Sequence, residues 1–158
     1  RVTLHQLQES ASEHLGAAQR LLSPQVVELP ASQATLLSEH LDLFQDLRLE
    51  VEPYGEGALA VRSVPPALAK VDLTRLLSDM ATQLAEGAKA TAGRDLTEHF
   101  LATMACHGSV RAHQVLSPYE MRELLVALDE VDFSVCAHGR PVAIRLSEVE
   151  LERRFHRS

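Results

Sequence analysis

The chain of 158 residues lies in the single-domain range, and 46% hydrophobic residues are enough to close a core. Aromatics at 4% with no Trp exclude a stacking platform for single-stranded nucleic acid, and no apolar run approaches the ~18 residues that a membrane helix needs. A net charge of −7 repels phosphate backbones and excludes tight autonomous binding of duplex DNA. Residues 1–100 hold 8 basic and 14 acidic side chains and residues 101–158 hold 7 and 8, with four His in the second stretch, so the polar chemistry gathers late. With two cysteines and no signal-like leader, the chain is expected to be cytoplasmic with reduced thiols. Opening at Arg1 without an initiator Met, it is expected to be part of something longer.

Val2, Leu4, Leu7, Ala11 and Leu15 recur at helical spacing and predict a first helix. A β-prone run from Gln25 to Leu29 ends at Pro30, and Leu36, Leu37, Leu41 and Phe44 predict one amphipathic helix with Ser32 as its cap. Leu47, Leu49 and Val51 alternate with charged residues, Tyr54-Gly55-Glu56-Gly57 is a turn, and Ala58–Val64 returns, which predicts a hairpin with one wet face. Asp72 caps a helix carrying Leu73, Leu76, Leu77, Met80 and Leu84, with Arg75, Asp79 and Gln83 toward water. A connection over 86–93 leads to a helix starting at Asp95 or Thr97, with Leu96, Phe100, Leu101 and Met104 inward, running into Cys106. Ser117 with Glu120 and Ser147 with Glu150 are capping boxes, and Pro141–Leu146 between them reads as a strand.

Cys106-His107 and the run Cys136-Ala137-His138-Gly139-Arg140-Pro141 form the densest polar cluster. In an extended segment Cys136 and His138 project from one face, and Cys106 supplies a third soft ligand for one ion. The competing reading makes Cys106 a small buried residue of an apolar helix and His138 part of a surface turn; there is no C-x-x-C pair to decide between them.

Ala105-Cys106-His107-Gly108-Ser109-Val110-Arg111 resembles the Ala-Cys-x-x-x-x-Arg motif of the C-terminal domain of the MutL family of DNA mismatch-repair proteins. Residues 136–141 resemble its Cys-Pro-His-Gly-Arg-Pro motif, in which Arg140 falls, and Phe155-His156-Arg157 its Phe-x-Arg motif. Gln19-Arg20-Leu21-Leu22-Ser23-Pro24 is similar to the family segment that docks on the replication sliding clamp, with Gln19, Leu22 and Pro24 as the contact residues. The order of these motifs also fits, and the resemblance covers essentially the whole chain.

The resemblance implies an α+β fold of two lobes: a dimerisation α/β lobe from residues 1–18 and 105–158, with an inserted regulatory α/β lobe over residues 19–104. It implies a homodimer and a latent DNA endonuclease activated by manganese, with zinc at a neighbouring regulatory position held by Cys106, Cys136 and His138. Soft ligands suit zinc, whereas manganese prefers carboxylate and water. The family takes these hard ligands from an Asp-Gln-His-Ala-x-x-Glu-x-x-x-x-Glu motif. Arg1–Leu7 looks like the segment just after its first Glu, so the ligands are expected before Arg1, with His5 in place of the second Glu. Clamp, other repair proteins and, with their help, duplex DNA are the implied partners; no membrane is involved. The alternative is a non-catalytic dimerisation and partner-docking module. For the clamp segment, the competing reading sends Leu21 and Leu22 into the core. A structural-zinc DNA-binding module is disfavoured by the charge and by the absent paired-cysteine spacing.

Overall fold

The computed structural model describes residues 1–12, 18–87, 93–111, 113–136 and 140–156. Helix α1 (Val2–Ser12) buries Leu4 and Leu7, residues one turn apart on a single face. Its Leu15 lies outside the described residues.

The sheet has three antiparallel strands, β1 (Gln19–Glu28), β2 (Glu50–Pro53) and β3 (Ala58–Val64), in the order β1-β3-β2. Central β3 buries Leu59, Ala60, Val61, Ser63 and Val64, so consecutive residues are covered. The expected hairpin with a wet face is therefore corrected for β3, which has a neighbour on each side. What remains of the polar face is the diagonal pair Arg62 to Glu52, 2.6 Å apart, which holds the Glu52 carboxyl below its usual range. Gly55 and Gly57 turn the chain from β2 to β3 with φ of 71° and 74°. A side chain on Gly57 would come within 3.2 Å of the Leu29 carbonyl.

Between β1 and β2 the single expected helix is two: α2 (Ala31–Ser38) and α3 (Leu41–Asp46). Pro30, not Ser32, occupies the cap of α2, and Ser32 stands inside the helix. Leu47 and Leu49 were expected in a strand but close α3. Arg48 takes φ 59°, its N–H donates to the Gln45 carbonyl, and the Leu49 N–H donates to the Phe44 carbonyl at 2.9 Å. This left-handed turn satisfies the last carbonyls of α3 and drives both leucines into the core.

Helix α4 (Leu73–Gly87) begins where Asp72 Oδ1 accepts from the Arg75 N–H, and its expected stripe from Leu73 to Leu84 is buried. The opposite face is less wet than expected. Gln83 Nε2 donates to Thr103 Oγ1 at 2.6 Å, and Asp79 meets His107, because α5 (Gly93–Gly108) lies against that side. Helix α5 starts two residues before Asp95, and residues 88–92 of the expected connection lie outside the described residues. Phe100 of α5 stacks on Phe44 of α3 with centroids 6.5 Å apart. One continuous core joins Leu4 and Leu7 of α1 to the sheet, α2 to α4, and α5 as far as Ala105.

Helices α6 (Pro118–Asp129) and α7 (Glu148–Arg154) each start with the expected reciprocal capping box and bury no residue. The expected strand Pro141–Leu146 is reduced to one bridge, Val135 to Pro141. Val142 and Ile144 are exposed, and among the described residues no further strand pairs with that segment. A strand needs a ladder, so β-propensity alone does not create one here.

Candidate functional site

Cys106 occupies the last turn of α5 between buried Ala105 and half-buried His107, yet is itself exposed. The expectation that an apolar helix would swallow it fails, because the inward stripe of Phe100, Leu101 and Met104 turns away from position 106. Partial enclosure of the sulfur pushes the Cys106 thiol above its usual range, the charge of Cys136 pushes the same way, and Arg111, the amino end of the chain and Arg140 oppose them. Cys106, Cys136 and the start of α1 therefore lie within electrostatic reach of one another.

Cys136 is held by the loop that carries it. Its N–H donates to the Arg140 carbonyl at 2.7 Å, the bridge at Val135 and Pro141 closes the loop, and Val142 N–H reaches the Ser134 carbonyl. Asp132 supports the approach: its carboxylate accepts from the Ser134 N–H, which keeps it below the usual carboxylate range, and its carbonyl accepts from Arg1 Nε at 2.7 Å. The amino end of α1 is thus tied to the Cys136 loop across 131 residues of sequence.

His138 lies outside the described residues, as does Arg157. The two described thiols are soft donors and fit zinc; among the described residues no group of three His, Cys, Asp or Glu side chains gathers around an ion. His5 sits on the outer face of α1, with Nε2 3.2 Å from Glu9. Arg111, Arg140 and Phe155 are exposed, Phe155 just past the end of α7.

The clamp-like segment is part of β1, which starts at Gln19, six residues before the expected β-prone run. Gln19 and Arg20 pair with Val64 and Ser63, pairing resumes at Gln25 with Val61, and Leu21 to Pro24 bulge out opposite Arg62. Leu21 packs on the core, while Leu22 is 110% exposed and Gln19 and Pro24 are exposed too.

Sequence reasoning placed His107 beside Cys106 but missed its partner: Nε2 lies 2.8 Å from Asp79 Oδ2, with a nearly buried ring. Its spacing to Asp79 across two helices leaves no local signal.

Among the described residues no helix is long and apolar enough to cross a membrane. The profile of the MutL C terminal dimerisation domain matches residues 1–116. The chain is 46% identical over 158 residues to a protein of Anaeromyxobacter sp. (strain K) called DNA mismatch repair protein MutL, covering 99% of this chain and 26% of that protein. It is 40% identical over 141 residues to the protein of the same name from Bartonella tribocorum, with 89% of this chain and 23% of that protein covered. The corresponding protein of Brucella abortus is 40% identical over 142 residues, with 89% and 23% covered. The chain spans about a quarter of the length of these relatives. With the clustered cysteine motifs and a profile that runs through α5, the chain belongs to the MutL family of DNA mismatch-repair proteins, within its C-terminal dimerisation domain.

Proposed function

We propose that the chain forms a homodimer and carries part of a latent, manganese-activated DNA endonuclease, stimulated by the sliding clamp and working in the cytoplasm with other mismatch-repair proteins. Residues 1–18 and 105–158 form the dimerising lobe, and residues 19–104 the regulatory one. The observation that carries this reading is the hydrogen bond from Arg1 to the Asp132 carbonyl, which ties the start of α1 to the segment leading to Cys136, with Cys106 in electrostatic reach of both. The amino end of α1 lies on the same side as the two thiols, where hard ligands such as the family's Asp-His-Glu set would complete the site. Cys106, Cys136 and His138 would hold zinc, and the upstream carboxylates manganese. A metal held there supplies an activated water and stabilises charge on a phosphodiester oxygen. The Cys136 N–H donates to the Arg140 carbonyl, which fixes the backbone at Cys136 itself.

Relaxation of supercoiled plasmid by the full-length protein with manganese and clamp tests the reading. Cutting is expected, falling at least tenfold in Cys136→Ser, with zinc lost on dialysis and folding retained. A full-length protein that stays inert yet dimerises and binds the clamp would leave the docking module as its function.

A further inference from the structure

We propose that the cavity between residues 66–71 and the end of α5 is a cradle for a backbone phosphate of DNA, held by Lys70 and Arg111. The proposal rests on the mismatch-repair reading and says where the strand lies relative to the thiols.

The cavity, about 330 Å³, is lined by Pro66, Lys70, His107, Gly108, Arg111 and Gln114 among others. It exists because a short 3-10 turn, Pro66–Leu68, packs directly on the last turn of α5. A Cβ at Gly108 would stand 2.8 Å from the Ala67 carbonyl and 3.0 Å from the Thr3 methyl, so a glycine is needed for this approach. The approach, made at Gly108 two residues past Cys106, sets Lys70 and Arg111 on the walls of one cavity, Arg111 three residues beyond the end of α5.

The charges there are not spent on protein carboxylates. Among the described residues, the ion pairs are His5 with Glu9, Arg62 with Glu52, and His107 with Asp79; neither Lys70 nor Arg111 is in one. Lys70 acts only at a distance on Glu120, and Arg111 on Cys106. The carboxy end of α5 contributes roughly half a negative charge and the carboxylates of Asp79 and Glu120 lie nearby, so an anion would be held by direct contact with Lys70 and Arg111 on the cavity wall rather than by the field of the region. On a chain of net charge −7, two cations on one cavity wall give an anion a local place to bind. The chemistry suits a phosphodiester: a guanidinium fork can grip both non-bridging oxygens, an ammonium adds a point charge, and Gln114, whose Oε1 accepts from the Arg111 N–H at 3.3 Å, keeps its amide hydrogens for donation. Such a contact orients a strand without reading its sequence, as a nicking enzyme acting anywhere along DNA requires.

The test is photocrosslinking of the full-length protein to duplex DNA carrying azidophenacyl groups on backbone phosphorothioates, at low salt, with crosslinked peptides mapped by mass spectrometry. Crosslinks are expected in 66–71 and 107–114, dropping at least fivefold in Lys70→Gln with Arg111→Gln, while Lys70→Arg retains them and Arg75→Gln changes nothing. The slope of log affinity against log salt should fall by about one to two units in the double variant. Lys70→Gln alone, at an exposed position, gives the same direction should the double variant fold poorly. Crosslinks near Cys106 and Cys136 that bypass these segments, or that survive Lys70→Gln undiminished, overturn the cradle alone. Absence of any crosslink to the region matching this chain overturns both the cradle and the DNA-cutting reading.

Discussion

Leu21 and Leu22 are chemically identical neighbours with opposite environments. The bulge in β1 turns Leu21 onto the core and leaves Leu22 in water, where an extended apolar anchor flanked by Gln19 and Pro24 can enter a hydrophobic groove. Gln19→Ala with Leu22→Ala is expected to weaken clamp binding at least tenfold by surface plasmon resonance and to leave the melting temperature unchanged, because Leu22 contributes nothing to the core. Leu21→Ala should do the reverse, lowering stability more than binding. Equal clamp affinity in the double variant would remove the docking role. The paired leucines were visible in the sequence, but which of them faces in depends on the cross-strand register, a non-local quantity.

Among the elements, α4 shows how far periodicity reaches: its apolar residues three and four apart are all buried. Leu76→Ala removes a fully buried side chain at the centre of that stripe and is expected to cost about 2–5 kcal/mol, read from the urea midpoint. Helices α6 and α7 owe their definition to local hydrogen bonds instead. The Ser117 N–H and hydroxyl donate to the Glu120 carboxylate, as those of Ser147 do to Glu150, and both carboxyls are held below their ordinary range. A depressed folded pKa means this stabilisation is complete above the unfolded glutamate value, about 4.3, and is lost as pH falls through the folded value. An NMR titration should therefore show the Ser117 and Ser147 amides shifting only below the ordinary glutamate range, together with fraying of the first turns. Titration of Glu120 at the ordinary value would show that its cap does not persist in solution. The capping boxes are legible because donor and acceptor sit three residues apart. The end of α3 is not, since Arg48 adopts a conformation usually left to glycine.

For the molecule as a whole, the division is between a closed core ending at Ala105 and the residues after it. From Val110 onward Val115, Tyr119, Leu125, Ile144, Val149 and Phe155 are exposed among many charges, and α6 and α7 bury nothing. Apolar exposure on this scale marks a surface meant to be covered, consistent with the dimerising role proposed for residues 105–158, while α1, proposed for the same lobe, packs into the shared core. Leu125→Glu is expected to shift the full-length protein toward monomer in sedimentation velocity at micromolar concentration without lowering the stability of the core formed by α1 to α5. An unchanged dimer would place the interface on another face.

Sequence alone determined the helices with strong periodicity, the turn at Gly55 and Gly57, the capping boxes, and the family, through short motifs whose chemistry is local. Only the tertiary structure decided that Leu49 is core rather than strand, that Leu22 stands out of β1, that Pro141–Leu146 has no ladder, and that His107 finds Asp79. The reason is common to all four: each depends on which distant segment supplies a partner, and residue type along the chain specifies a preference for burial or pairing without specifying who provides it. The electrostatic reach among Cys106, Cys136 and the start of α1 belongs to the same class, since it depends on the packing of α1 on α5 and on the tie from Arg1 to Asp132.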